Sequence, residues 1–230
     1  MLYHNSYIGH NMLCNDVGKE KYFMARKTFI SYKYSEAREI RDRIISSLGD
    51  DATYYRGERA TSPDLTDFTT STIKNNLKNK IYGTSVLILV ISPHMNQSKW
   101  ISWEVEYALK DQKRGNKYSH SNGIIGVVKN DYFGDSTWFT GRDCLSQNVY
   151  LPDIVTRNRI NRLNTYSESR YHLNDTTWIN QNSYIPIVTE NTFLRNPKQY
   201  IEDAFERSQR LYEYDICKIS NKDRLQRSII

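Results

Sequence analysis

Residues 85–108 read SVLILVISPHMNQSKWISWEVEYA, and this stretch decides the fold. Val86 to Ile91 is an unbroken apolar run rich in β-branched residues, bounded by Ser85 before it and Ser92-Pro93 after it. Such a run is too short for a helix of ordinary length and lacks the alternation of a half-exposed strand. It reads as a strand covered on both faces, as in a parallel sheet. A polar loop to Gln97 follows, and Ser98 is the expected N-cap of a helix running to about Lys110.

Working outward, the same alternation of strand and helix recurs on both sides. Lys27-Thr28-Phe29-Ile30-Ser31-Tyr32 is a short β-branched and aromatic strand. In residues 36–48, Ala37, Ile40, Ile44, Ile45 and Leu48 recur at helical spacing, and Gly49 stops the pattern. Residues 52–55 suit a second strand, residues 56–64 (RGERATSPD) a polar loop, and Asp64 a cap for a helix through about Leu77. GIIGVVK at residues 123–129 is a further strand. Strand and helix in alternation imply an α/β protein with a doubly wound parallel sheet of the flavodoxin-like kind, helices on both faces.

The signal weakens after Asp131. Residues 131–182 are rich in Asn, Ser, Thr, Arg and Tyr with little periodicity, a length of irregular chain that usually marks function or an inserted lobe. Residues 185–189 suit a late strand, and residues 197–214 an amphipathic helix with Tyr200, Ile201, Ala204, Phe205, Leu211 and Tyr212. The expected organisation is an N-terminal extension over residues 1–25, a core over 26–130, and a C-terminal elaboration over 131–230 that completes the same domain.

Composition removes several function classes. The chain has 230 residues with 13% aromatics, 18 of them tyrosines, and only 5 prolines and 10 glycines, which excludes a disordered or collagen-like chain. The mean hydropathy of -0.71 understates its apolar surface, because tyrosine rings bury well. No apolar run approaches the roughly 20 residues of a membrane span. The opening MLYHNSYIGHNMLCND has no leader pattern, so a cytoplasmic location is expected. Cys14, Cys144 and Cys217 are isolated, the five histidines are scattered, and no metal site is expected. The net charge of +6 comes wholly from residues 1–130. Its lysines and arginines are spread singly, without the basic run of a nucleic-acid tail. A small anionic ligand accounts for them as well as a nucleic acid does.

In an open α/β sheet ligands bind beyond the carboxyl ends of the strands. Three segments meet there: residues 31–34, the loop 56–64, and residues 93–104. In the last, Trp100 and Glu104 stand four apart on one helix face. Glu106 lies about 200° around the helix from Glu104, on a face expected to meet solvent. An aromatic ring beside a carboxylate can stack on a base while the carboxylate binds ribose hydroxyls or stabilises an oxocarbenium-like cation. The spacing equally fits two tryptophans in the core and a glutamate paired with a nearby cation. GxGxxG, GxxxxGK[ST] and GxSxG are all absent, and Ser31 has no adjacent histidine to activate it.

KTFISYKYSEA followed by TSVLILVISPHMNQSKWISWEVEYAL resembles a bacterial TIR domain, and among these the TIR proteins (ThsB) of Thoeris anti-phage systems. The resemblance rests on Phe29, Ser31 and Tyr32 in the opening strand, Ser92 ending the later one, and Ser98, Trp100 and Glu104 at the helix start. It covers residues 26–130, and neither the first 25 residues nor the segment after Asp131 has a counterpart in a minimal TIR domain. The resemblance implies an enzyme that cleaves NAD+ at the nicotinamide–ribose bond, with Glu104 as the catalytic carboxylate. Phe29, Ser31, Tyr32, Arg56, Ser92 and Trp100 would contact the substrate. NAD+ would be substrate, with no separate cofactor or metal. It further implies a signal nucleotide, of cyclic or conjugated form, that activates a separate effector protein. A phage-derived trigger and self-association are the other partners expected, with neither membrane nor nucleic acid. The alternative is a non-catalytic TIR adaptor acting through self-association, which would not need Glu104. A CheY-like receiver is disfavoured because Tyr32-Lys33-Tyr34 replaces the acidic cluster that such a domain needs.

Overall fold

The computed structural model describes residues 25–55, 69–98, 100–140, 150–165, 172 and 175–219. In chain order the elements are β1 (Thr28–Ser31), α1 (Tyr34–Ser47), α2 (Thr70–Ile81), β2 (Val86–Ile91), α3 (Ile101–Leu109), β3 (Gln112–Arg114), β4 (Lys117–Ser119), β5 (Gly123–Val128), α4 (Thr137–Thr140), α5 (Asp153–Thr156), α6 (Thr176–Gln181), β6 (Ile187–Thr189), α7 (Glu190–Arg195) and α8 (Pro197–Ser208). Among the described residues the main sheet has four strands in the order β1-β2-β5-β6, and every pairing in it is parallel. The protein is therefore α/β, with a flavodoxin-like arrangement. β3 and β4 form a separate antiparallel hairpin.

Each strand feeds two hydrophobic cores. Phe29, Leu87, Leu89, Ile91, Ile124 and Val128 pack with α2, α3 and α5 through Leu77, Ile81, Ile101, Val105, Ile154 and Val155. Ile30, Val86, Ile88, Val90, Ile125 and Val127 pack on the other side with Ala37, Ile40 and Ile44 of α1, Phe193 of α7, and Ile201 and Ala204 of α8. Strand side chains alternate in direction, so a sheet covered on both faces must be apolar at every position. β2 obeys this at all six residues, each 0% exposed.

The structure corrects the sequence reading in several places. Residues 52–55 do not form a strand. Gly49, at φ +58°, ends α1, and Gly49–Tyr54 winds into a 3-10 turn in which Thr53 Oγ1 donates to the Asp50 carbonyl at 3.1 Å. Only Tyr55 reaches the sheet, through a single parallel bridge to Thr28. Because Thr28 also pairs with Val86, Tyr55 lies on the far side of β1 from β2. The chain thus leaves β1 toward one edge and returns as β2 on the other side, a reversal of strand order at β1/β2. The cap of α2 is Thr69, whose side chain accepts from the Thr72 N–H, and the helix runs on to Ile81. Asp64 lies outside the described residues. The terminal amphipathic helix stops at Ser208, and a 3-10 turn covers Leu211–Glu213.

The Asn-rich segment after Asp131 is held by side-chain amides. Asn158 is fully buried. Its Nδ2 donates to the carbonyls of Ile154 and Cys217, both at 2.8 Å, and its Oδ1 accepts the Cys217 N–H at 3.0 Å. Asn161 accepts the Tyr184 N–H at 2.9 Å and donates to the Asp215 carbonyl at 2.8 Å. Asn180 pairs with both backbone groups of Ile187 at 2.9 Å. These amides, buried at Asn158 and Asn161 and half-buried at Asn180, replace the missing helical and strand ladders.

α8 crosses the start of β5 so closely that a methyl group built on Gly123 would sit 1.8 Å from the Ala204 carbonyl oxygen. Relief requires movement of helix backbone, so Gly123→Ala should lower the unfolding free energy by about 3 kcal/mol. Gly115, in the β3–β4 turn at φ +57°, meets nothing within 4 Å, and Gly115→Ala should cost about 1 kcal/mol from backbone conformation alone. Urea titration of the two variants reads the difference directly.

Candidate active site

Strand parity puts the first residue of the site in place. Phe29 points to the α3 side, Ile30 to the α1 side, and Ser31 returns to the α3 side at the carboxyl end of β1. There its hydroxyl donates to Glu104 Oε2 at 2.5 Å. Ser31 is 1% and Glu104 6% exposed, so the carboxylate is almost wholly withdrawn from water. Such burial is tolerated only where polar partners replace the lost hydration. Glu104 lies in the first turn of α3, where the helix dipole favours negative charge.

Trp100 is the N-cap residue of α3. Its carbonyl accepts the Glu104 N–H at 2.8 Å, and its indole is half-buried against the α3-side core. Ser98 does not cap the helix directly, since it accepts the Trp100 N–H at 3.3 Å two residues before the first helical turn. Phe29 is 3% exposed and lies beneath Ser31 in the same core.

Two other residues expected at the site face elsewhere. Ser92 follows Ile91 at the end of β2, and parity sends it to the α1 side, away from Glu104. Among the described residues its buried hydroxyl has no partner at full hydrogen-bond geometry, though it lies close enough to the Glu36 carboxylate to favour its charged form. Tyr32 also points to the α1 side, where its hydroxyl accepts from Arg41 Nη1 at 2.8 Å. Arg56 lies outside the described residues. Glu106, expected in solvent, is 3% exposed and pairs with Lys110 at 3.4 Å. α3 is flanked by both α2 and α5, so the side of the helix that would face water in isolation is covered.

Glu36 is a residue that sequence reasoning missed, because a glutamate in the first turn of a helix carries no mark beyond a helix start. α1 departs from helical geometry at Ala37, and Glu36 reaches the end of β2. It accepts from Lys33 Nζ at 2.5 Å and from the His94 N–H at 3.2 Å, with His94 Nδ1 also at 3.2 Å. The carboxyl ends of β1 and β2 therefore carry the hydrogen-bonded Ser31–Glu104 pair on the α3 side and Ser92 beside Glu36 on the α1 side. Among the described residues no group of His, Cys, Asp and Glu is arranged to hold a metal ion, and no helix is long and apolar enough to cross a membrane.

Burial pushes the Glu36 carboxyl up, but the Lys33 ammonium, the Ser92 hydroxyl and the His94 N–H outweigh it and hold the group below its ordinary 4.5. A carboxylate depressed by folding adds stability above its unfolded pKa and loses it as pH falls through the folded value. Acid titration of unfolding should therefore show a decline below about pH 4.5. Glu36→Gln should flatten Glu36's share of that decline and lower stability at neutral pH by about 1 kcal/mol.

The structure brings together Ser31 and Glu104, two of the motif residues on which the sequence resemblance rested, at the strand-order reversal of the parallel sheet. Residues 29–131 match the family model described as the Thoeris protein ThsB, TIR-like domain. The matched segment begins in β1 and ends just beyond β5, so it contains Ser31, Glu36, Ser92 and Glu104. Over these residues the chain is thus similar to a TIR-like domain of the ThsB kind.

Proposed function

We propose that this chain is an NAD+-cleaving TIR enzyme of anti-phage defence, with Glu104 as its catalytic carboxylate. The observation that carries the reading is the buried Ser31–Glu104 pair at the carboxyl end of β1. The match of residues 29–131 to a Thoeris TIR-like domain supports the defence context.

The reaction breaks the bond between ribose C1′ and the nicotinamide nitrogen. The bonding electrons leave with nicotinamide, and positive charge develops on C1′ and the ring oxygen. A carboxylate already stripped of water and held by a hydroxyl stabilises that charge without reorganising at the moment of cleavage. Ser31 acts as a positioning residue, fixing the Glu104 carboxylate by its hydrogen bond. Trp100, at the start of α3, offers an aromatic surface to the substrate. Attack at C1′ by water would give ADP-ribose. Attack by a hydroxyl of the same nucleotide would give a cyclic product, the form of signal molecule favoured here, which a separate effector would read.

Incubation of the full chain with NAD+, with nicotinamide and nucleotide products followed by chromatography and mass spectrometry, tests this. Glu104→Gln should lower nicotinamide release by about 100-fold or more with the fold intact. Ser31→Ala should lower kcat about tenfold with little change in KM, because it loosens the carboxylate without removing a substrate contact. Undiminished release by a folded Glu104→Gln variant would overturn the reading. Absence of release from the wild-type chain, both alone and in infected-cell lysate, would favour an adaptor.

A further inference from the structure

Six of the chain's 32 lysines and arginines lie on two elements that the fold places side by side. α2 and the β3–β4 hairpin together hold six lysines and arginines, Lys74, Lys78, Lys80, Lys113, Arg114 and Lys117, and no Asp or Glu. The two elements are joined side by side. Arg114 Nη1 donates to Asn79 Oδ1 at 2.6 Å and its Nη2 to the Tyr107 hydroxyl at 3.0 Å. The Tyr82 hydroxyl donates to the Lys117 carbonyl at 2.9 Å, and the Arg114 guanidinium lies 4.3 Å over the Tyr82 ring. Lys74, Lys78, Lys113 and Lys117 make no ion pair among the described residues, and three of the four are exposed. The neighbouring carboxylates are committed elsewhere: Glu106 is buried against Lys110, and Asp111 is bound by Lys218 at 3.3 Å.

Aromatic rings stand among these cations. Tyr118 is 61% exposed, stacks on His120 with an interplanar angle of 16°, and has the Lys113 ammonium 5.3 Å above its ring. A solvent-exposed, oriented tyrosine flanked by uncompensated lysines offers a stacking platform for a base and counter-charges for the phosphates on either side. A duplex, whose bases are already stacked, could use only the charges. An acidic polypeptide likewise has no use for the ring stack.

We propose that the face formed by α2 and the β3–β4 hairpin binds single-stranded nucleic acid, with Tyr118 stacking on a base and Lys74, Lys78, Lys113 and Lys117 contacting phosphates. This face is built by residues other than Ser31, Glu36, Ser92 and Glu104, so the inference does not depend on the reaction proposed above.

Fluorescence anisotropy of the full chain with a labelled single strand of about 20 thymidylates tests it. Binding should weaken steeply between about 50 and 200 mM salt. Tyr118→Ala should weaken binding about tenfold. Lys113→Gln with Lys117→Gln should lower the slope of log affinity against log salt by about 1.4, two phosphate contacts' worth. Arg38→Gln with Arg195→Gln, an equal loss of charge away from this face, should change neither quantity measurably. The proposal is overturned by an absence of binding at low salt, by Tyr118→Ala binding as tightly as wild type, or by the distant pair weakening binding as much as the hairpin pair. Tighter binding to a duplex of the same length, or equal competition by polyglutamate, would overturn it in favour of a surface that reads charge alone.

Discussion

The structure depends on one constraint: a parallel strand buried on both faces hands successive side chains to opposite helix layers. That alternation builds the two cores, one under α1, α7 and α8 and one under α2, α3 and α5. It also decides what happens where the apolar run ends. The first polar residue after β1's apolar positions, Ser31, falls on the α3 side and meets Glu104. The first after β2, Ser92, falls on the α1 side and lies beside Glu36. A one-residue shift in either strand would exchange these partners. The site is thus a consequence of strand register, fixed by the Ser31–Leu89 and Thr28–Val86 pairings.

In the proposed reaction, burial prepares the Glu104 carboxylate. A carboxylate in water is surrounded by dipoles that must turn before it can stabilise new positive charge. Glu104 is 6% exposed and already bonded to Ser31, so little turning remains. The neighbouring helices enforce this dryness, since α2 and α5 enclose α3 on both flanks. The same enclosure draws Glu106 inward beside Lys110. α3 therefore carries two buried carboxylates, one facing the strand end and one held by Lys110, the residue that caps the helix.

The sequence made the sheet readable wherever burial on both sides forced a continuous apolar run, as in β2 and β5. α1 and α8 were readable from one-sided helical spacing, because each covers a single face. Residues 49–55 misled, since the β-compatible Ala52, Thr53, Tyr54 and Tyr55 follow a glycine and two aspartates that turn the chain before it can pair. The segment after Asp131 was opaque for a different reason. Its order comes from Asn158 and Asn161 bonding to backbone 23 to 59 residues away, and from Asn180 bonding across the turn to Ile187, which leaves no period to detect. Glu104 was singled out through its spacing from Trp100 and the family resemblance, whereas Glu36 and the shift of Ser92 to the other face needed the three-dimensional register. The gathering of six cations on α2 and the β3–β4 hairpin was hidden in the same way, because 32 residues separate Lys80 from Lys113 without another cluster to link them.

In the proposed function, the Ser31–Glu104 pair marks where the nicotinamide ribose of NAD+ sits. A crystal structure of the Glu104→Gln variant with NAD+ tests it most directly, because the substitution keeps the shape of the site while slowing cleavage. The nicotinamide ribose is expected within hydrogen-bond reach of residue 104, at the carboxyl ends of β1 and β2, with Ser31 beside it. NAD+ bound at another part of the sheet, with the residue 104 side chain still enclosed and out of contact with the ligand, would contradict it.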